Sequence, residues 1–175
     1  MQTIKGRLEQ IQSFLIEKIE KEKIRLPQAP EEGMAGEKTD LVAPIVAVGN
    51  IPHANFNVMN ARREFFNAPY VLVGMKEASF DYDEERLPIL IQVCCYTVES
   101  YRDSNVPDNM GMLDALNLLE KIKNWINQDA PFPVEKPYSI GTYDTFETTY
   151  PYAFGYIGFT ITTNEGTVNR KKFNY

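Results

Sequence analysis

The side chains that most often carry out catalysis are sparse in this sequence. The 175 residues include one histidine, His53, which lies in a segment rich in Asn and aromatic residues at positions 52–67. A Ser or Cys nucleophile commonly needs such a histidine as its base, and no recognisable nucleophile motif lies near it. We therefore expect no catalytic residue and predict that the chain is not an enzyme.

Metal ligation is not expected either. Cys94 and Cys95 are adjacent, so with a single histidine they do not supply the paired ligand spacing of a zinc site. In a strand their side chains leave opposite faces, which predicts two reduced thiols rather than a disulfide. The acidic segment at 81–85 lacks the Gly-centred spacing of a calcium loop and is typical of a solvated hairpin turn.

Residues 33–39, with the sequence GMAGEKT, superficially resemble a phosphate-binding loop. A Walker A loop requires Gly-Lys-Ser/Thr, whereas here Glu37 separates Gly36 from Lys38. We expect no cofactor at this segment. Paired carboxylates cannot be told from surface charge by sequence alone, so a small hydrolase or ligand-binding module using carboxylates and His53 stays open as an alternative.

The charge balance bears on possible partners. A formal net charge of −6 opposes a broad nucleic-acid surface, because phosphate binding requires clustered Lys and Arg. Such a chain could still lie beside DNA and let it pass without holding it. No stretch approaches the roughly 18 apolar residues of a membrane span, and no apolar signal region opens the chain. We expect a cytosolic protein with no membrane partner and no specific nucleic-acid binding.

Hydrophobic periodicity predicts two helices and several strands. Apolar residues recur every three or four positions in both helices. In the second helix the predicted buried stripe comprises Met112, Leu116, Leu119, Ile122 and Ile126, broadened by Leu118 and Trp125. Pro44 within an apolar run indicates an edge strand or a break near the start of the strand. The predicted elements are a helix at 3–24, a strand at 41–48, a hairpin of strands at 69–75 and 87–98, a helix from Asp108 or Asn109 to 127, a weak strand at 138–143 and a strong one at 150–163.

The element order indicates an α+β fold: an antiparallel or mixed sheet of four to five strands with two helices packed on one face. Ile89, Ile91, Val93 and Cys95 should form the apolar strand face that meets the helices. We predict one domain over residues 1–168, including a loop at 27–40 and an arm or excursion at 52–67. Residues 169–175 should form a flexible tail.

The last strand carries an unusual row of rings. Tyr150, Tyr152, Phe154 and Tyr156 alternate along it and so share one face. Three interpretations stay open: core packing, a face covered by a second subunit, and stacking on single-stranded nucleic acid, which the lack of a basic groove disfavours. The suspected subunit or partner interface comprises Tyr150, Tyr152, Phe154, Tyr156, Phe56, Phe65 and Phe66.

Four segments together resemble the tail terminator, or tail completion, proteins of long-tailed phages and prophages. They are PYVLVGM at 69–75, LPILIQVCCYTVE at 87–99, GMLDALNLLEKIKNWI at 111–126 and TYPYAFGYIGFTI at 149–161. Their order and spacing are similar to those of the family as well, and the resemblance covers about residues 41–163.

The resemblance implies a virion structural protein without a catalytic role. It implies a homo-oligomeric ring of about six copies that caps the tail tube beneath the head. The implied partners are further copies of the chain, the major tail tube protein and a head-completion or connector protein, with DNA passing through the ring. The implied location is the host bacterial cytoplasm during assembly and then the head-tail junction. A head-completion protein docked on the portal is the alternative within this class.

Overall fold

The computed structural model describes residues 3–30, 39–49, 68–76, 86–98, 110–142 and 152–162. These residues form two helices, a five-stranded mixed sheet and a separate two-stranded ladder, which confirms the predicted α+β fold. The helices are α1 (Ile4–Lys21) and α2 (Met110–Asp129). The strands are β1 (Leu26–Pro27), β2 (Leu41–Val42), β3 (Ile45–Val48), β4 (Tyr70–Met75), β5 (Arg86–Tyr96), β6 (Val134–Thr142) and β7 (Tyr152–Thr162).

The main sheet has the order β3-β4-β5-β7-β6. Strand β3 runs parallel to β4, and every other neighbouring pair is antiparallel. The predicted hairpin is confirmed as β4 and β5, although its turn at 81–85 lies outside the described residues. Ala43 and Pro44 interrupt the predicted strand and separate β2 from β3. Strand β3 lies at the edge of the sheet, as Pro44 predicts.

Helix α1 has a well-formed start and end. The Thr3 hydroxyl accepts a hydrogen bond from the Gly6 N–H and caps the first turn. At the other end the Ile24 N–H donates to the Ile19 carbonyl and the Lys23 N–H donates to the Glu20 carbonyl, a Schellman arrangement with Lys23 at φ 53°. The chain therefore turns sharply and returns Ile24 to the apolar core beside Ile19.

The main core lies between the helices and one face of the sheet. Helix α1 covers β3 and β4, whereas α2 covers β5, β7 and part of β6. Ile89, Ile91, Val93 and Cys95 all belong to this core, which confirms that the apolar face of β5 meets the helices. Burial of such aliphatic side chains contributes about 1.5–3 kcal/mol each, so this layer is a main source of stability.

The buried stripe of α2 agrees with the prediction over its later turns and differs near the start of the helix. Leu118, Leu119, Ile122, Trp125 and Ile126 are buried as predicted. Leu116 is exposed and Met112 is only half-buried. Gly111 and Ala115 face the sheet instead. A Cβ added at Gly111 would lie 2.3 Å from the Thr97 hydroxyl oxygen, so small residues allow the first turn of α2 to approach the end of β5.

Smaller differences concern segments with weak periodicity. Strand β6 begins at Val134, four residues before the predicted position, and has a register irregularity between Glu135 and Ser139. The predicted loop at 27–40 is flanked by the β1–β2 ladder, whose two-residue strands are too short to show a period. The excursion at 52–67 and the tail at 169–175 lie outside the described residues. Within the parts of the chain that are described, no helix combines the length and apolarity of a membrane span.

Candidate interaction surface

The sheet face opposite the helices carries a second, aromatic cluster, here called the aromatic face. The strand register builds it, because Tyr70 on β4, Cys94 on β5 and Phe154 on β7 lie side by side, and Tyr96 pairs with Tyr152 one step further along. Alternation along each strand places these side chains away from the helices. The members of the aromatic face are Tyr70, Leu72, Cys94, Tyr96, Tyr152 and Phe154.

These rings are already buried within a single copy of the chain. Tyr152 and Phe154 are each 8% exposed to solvent, and Tyr96 is 1% exposed. The Tyr96 and Tyr152 rings meet edge-to-face with centroids 6.0 Å apart, a favourable aromatic geometry. Burial, together with a hydrogen bond to the Cys94 side chain, raises the pKa of Tyr70 well above its usual range. The aromatic face is thus a second core as well as a candidate contact.

The chain beyond α1 reaches this face at one end of the sheet. Leu26 packs against the helix-side core, whereas Ala29 belongs to the aromatic cluster. The Ala29 N–H donates to the Ala68 carbonyl at 2.8 Å, and the Gln28 N–H donates to the Asp40 carbonyl at 2.9 Å. These backbone hydrogen bonds hold the segment at the end of the sheet where β4 begins.

Tyr156 differs from the other rings of β7 because it is half-buried. It pairs with Gly141 on the edge strand β6, and a Cβ built at Gly141 would lie 2.7 Å from the Tyr156 hydroxyl oxygen and 2.9 Å from two of its ring carbons. The ring therefore lies over the glycine and covers backbone that a side chain would otherwise protect. Among the suspected interface residues that are described, Tyr156 has the most accessible surface.

The structure brings three of the seven suspected interface residues together on β7, namely Tyr152, Phe154 and Tyr156. The other four, Tyr150, Phe56, Phe65 and Phe66, lie outside the described residues. Contact of this face with another subunit stays a prediction. The rings of Tyr152 and Phe154 have little accessible surface with which to make such a contact.

The edge strand β3 provides a further candidate surface that sequence reasoning did not identify. Ile45 and Val48 on β3 are exposed by 52% and 41%, Leu41 on the preceding β2 is exposed by 62%, and residues 41–49 contain no charge. Native edge strands usually carry charges or bulges that discourage pairing with another chain. The Gln12 amide donates to the Val46 carbonyl at 2.9 Å and covers one of the edge groups. The missed signal was an uncharged run in a strand already predicted to be an edge.

A row of exposed apolar side chains also follows the outer side of α2. Met110, Leu113 and Leu116 recur every three residues, with 43%, 54% and 40% exposure. The rotation of α2 that buries Ala115 and Leu118 turns this row outward. This row was not identified from the sequence, because Leu116 was predicted to lie on the buried stripe of α2.

The described residues offer little reactive chemistry. In the described ranges no group of three or more His, Cys, Asp and Glu side chains could hold a metal ion. Cys94 and Cys95 are buried and form no disulfide, and burial, with smaller effects from Cys94 and Asp114, raises the pKa of Cys95. A raised pKa keeps that thiol protonated and weakly nucleophilic. His53 lies outside the described residues.

No protein-family model matches the chain, and no curated protein matches its sequence.

Proposed function

We propose that this chain is a phage structural protein that forms a homo-oligomeric ring, caps the tail tube and joins the tail to the head. The ring assembles from copies of the chain in the host bacterial cytoplasm and then resides at the head-tail junction of the virion. Its other partners are the major tail tube protein and a head-completion or connector protein. The chain performs no catalysis in this role.

The observation that carries the proposal is the spatial arrangement of the four segments that resemble tail terminators. They form β4, β5, α2 and β7. Strands β4, β5 and β7 are consecutive in the sheet, and α2 covers β5 and β7. Segments separated by up to about 80 positions in sequence thus compose one continuous structural unit, as expected when a resemblance reflects a shared fold rather than four chance matches.

Charge and surface agree with this role. A net charge of −6 suits a ring through which DNA passes without being held. Exposed aliphatic side chains of β3 and of β6 supply apolar area at the two opposite edges of the main sheet. Rings closed by rotation need two different complementary patches on every copy.

The proposal is tested by following the growth of tail tubes. Purified major tail tube protein is allowed to polymerise, and this chain is added during elongation. We expect tubes to stop growing and to carry the chain at one end, whereas bovine serum albumin at the same concentration should leave growth unchanged. Continued growth with no bound chain contradicts the tube-capping role. Binding to portal-bearing heads but not to tubes would instead support the head-completion alternative.

A further inference from the structure

The two edge strands of the main sheet differ in what each exposes. Strand β3 ends the sheet on one side and β6 ends it on the other. Among the described residues, no strand lies beyond either of them. A row of unpaired backbone groups at such an edge is a template for pairing with another chain. Each edge must therefore either carry features that prevent strand pairing or be covered by a partner.

The direction of the backbone groups on β3 follows from its hydrogen bonds to β4. The Ile45 N–H donates to the Pro69 carbonyl, and the Gly49 N–H donates to the Val73 carbonyl. Because alternate residues of a strand face opposite neighbours, Val46 and Val48 direct their N–H and C=O groups outward. Gln12 occupies the Val46 carbonyl, so within the described residues the outward N–H of Val46 and the N–H and C=O of Val48, at the end of β3, are the edge groups left for pairing.

Strand β6 is blocked over one half and open over the other. Its first half contains the charges of Glu135 and Lys136, Pro137 and the register irregularity, all of which discourage strand pairing. Its second half, Ser139 to Thr142, is uncharged and regular. This open half has four residues, and β3 also has four.

One exposed side chain from each edge, Val48 on β3 and Ile140 on β6, lies on the same face of the sheet. Val48 pairs with Val73 and Ile140 pairs with Ile157, and both of these partners belong to the helix-side core. Val48 and Ile140 therefore also face the helix layer, yet both remain 41% exposed because they lie at the margins of the sheet. If β3 of one copy joined β6 of the next with the helices on one side, these two side chains would pack together.

We infer that β3 of each copy pairs with the second half of β6 of the next copy, so that the five-stranded sheets join edge to edge around the ring. The inference rests on the proposed function and identifies the partner of the β3 edge as a second copy of this chain. Such contacts are heterologous and repeat around a closed rotation. A β3–β3 contact would instead be two-fold, end at a dimer and leave β6 open.

The first test places a charge at each edge in turn. Val48→Lys and Ile140→Lys should each abolish the ring at concentrations where the unmodified chain forms it, because lysine at a pairing edge opposes strand addition. Ile16→Lys is the matched control, since Ile16 is 39% exposed but lies on helix α1 rather than on a strand edge. Light scattering gives the assembly mass, and circular dichroism verifies that each variant is folded.

The second test identifies which edges meet. Chains carrying Val48→Cys and chains carrying Ile140→Cys are mixed and treated with a short bis-maleimide, with the unmodified chain as control because its own thiols are buried. We expect cross-linked dimers that contain one chain of each kind, and little product when either variant is treated alone.

The outcomes separate the inference from the proposed function. A Val48→Lys variant that still forms rings, or a 48-to-48 cross-link as the main product, overturns the inference while the ring-forming role stands. An unmodified chain that forms no ring, alone or on tail tubes, overturns the proposed function and the inference with it. Loss of the ring in both edge variants, together with the mixed cross-link, supports the edge-to-edge contact.

Discussion

Phe154 and Tyr156 lie two residues apart on the same face of β7, yet they contribute differently to the molecule. Phe154 is buried within the aromatic face, whereas Tyr156 is half-buried over Gly141. Phe154→Ala should lower the free energy of unfolding by about 3–5 kcal/mol, since it removes a buried ring. Tyr156→Ala should lower it by about 1 kcal/mol or less, the range of a cross-strand contact.

Urea denaturation of both variants measures these two differences in the free energy of unfolding. If the aromatic face contacts another subunit, Tyr156→Ala should weaken assembly while the monomer stays folded. Equal destabilisation by the two substitutions would show that exposure does not separate their roles.

Asp114 on α2 is a residue whose charge opposes folding. Partial burial raises the pKa of this carboxyl above its ordinary value. The penalty is absent when the group is protonated in both states, grows as the pH rises through the raised pKa, and is fully present at neutral pH. Asp114→Asn should therefore stabilise the protein at pH 7, and this advantage should vanish near pH 3.

Thermal unfolding at several pH values checks the Asp114 prediction. The control is Glu17→Gln, which neutralises an exposed acid on α1. An Asp114→Asn advantage that persists unchanged at pH 3 would mean that shape, and not charge, causes it.

At the scale of elements, the end of α1 contains a strained backbone conformation at Lys23 that glycine would relieve. Lys23 adopts φ 53°, a left-handed conformation that costs a residue with a Cβ about 1 kcal/mol and costs glycine little. Lys23→Gly should raise the free energy of unfolding by about 0.5–1 kcal/mol. Lys21→Gly, two residues earlier within the helix, should lower it by about 1 kcal/mol. Chemical denaturation distinguishes the two, and a destabilising Lys23→Gly would contradict the cap geometry.

Strong periodicity made most of these elements predictable from sequence. The alternating apolar residues of β5 fixed both its conformation and the face that meets the helices, and Pro44 marked the edge. The buried stripe of α2 was less predictable because Gly111 and Ala115 are buried for their small size, which a hydrophobic pattern does not register. Leu116 fits the periodic stripe but is exposed, because the side of α2 that carries Gly111 and Ala115 faces the sheet in its place.

The candidate surfaces were predictable only in part. A row of rings on β7 was visible in the sequence, but its burial depends on Tyr70, Cys94 and Ala29, which come from distant segments. The β3 edge was predictable from Pro44, whereas the identity of β6 as the opposite edge of the described sheet depends on the order of all its strands. Sequence periodicity reports which face of a strand is apolar and does not report what lies beside it.

At the scale of the whole molecule, the acidic balance has a consequence for DNA. With a net charge of −6, the chain should not retain double-stranded DNA in a gel-shift assay, even at low salt where phosphate binding is strongest. A basic protein of similar size serves as the positive control. Retention that falls steeply as salt is added would reveal a basic surface and contradict passage of DNA without binding.

Assembly into a ring is the central claim, and electron microscopy of the purified chain, alone at high concentration and mixed with tail tubes, tests it most directly. We expect closed rings of uniform diameter, free in solution or seated at one end of each tube, in which the copies are related by rotation. Single copies at every concentration, together with tube ends that carry no added ring, would contradict the claim.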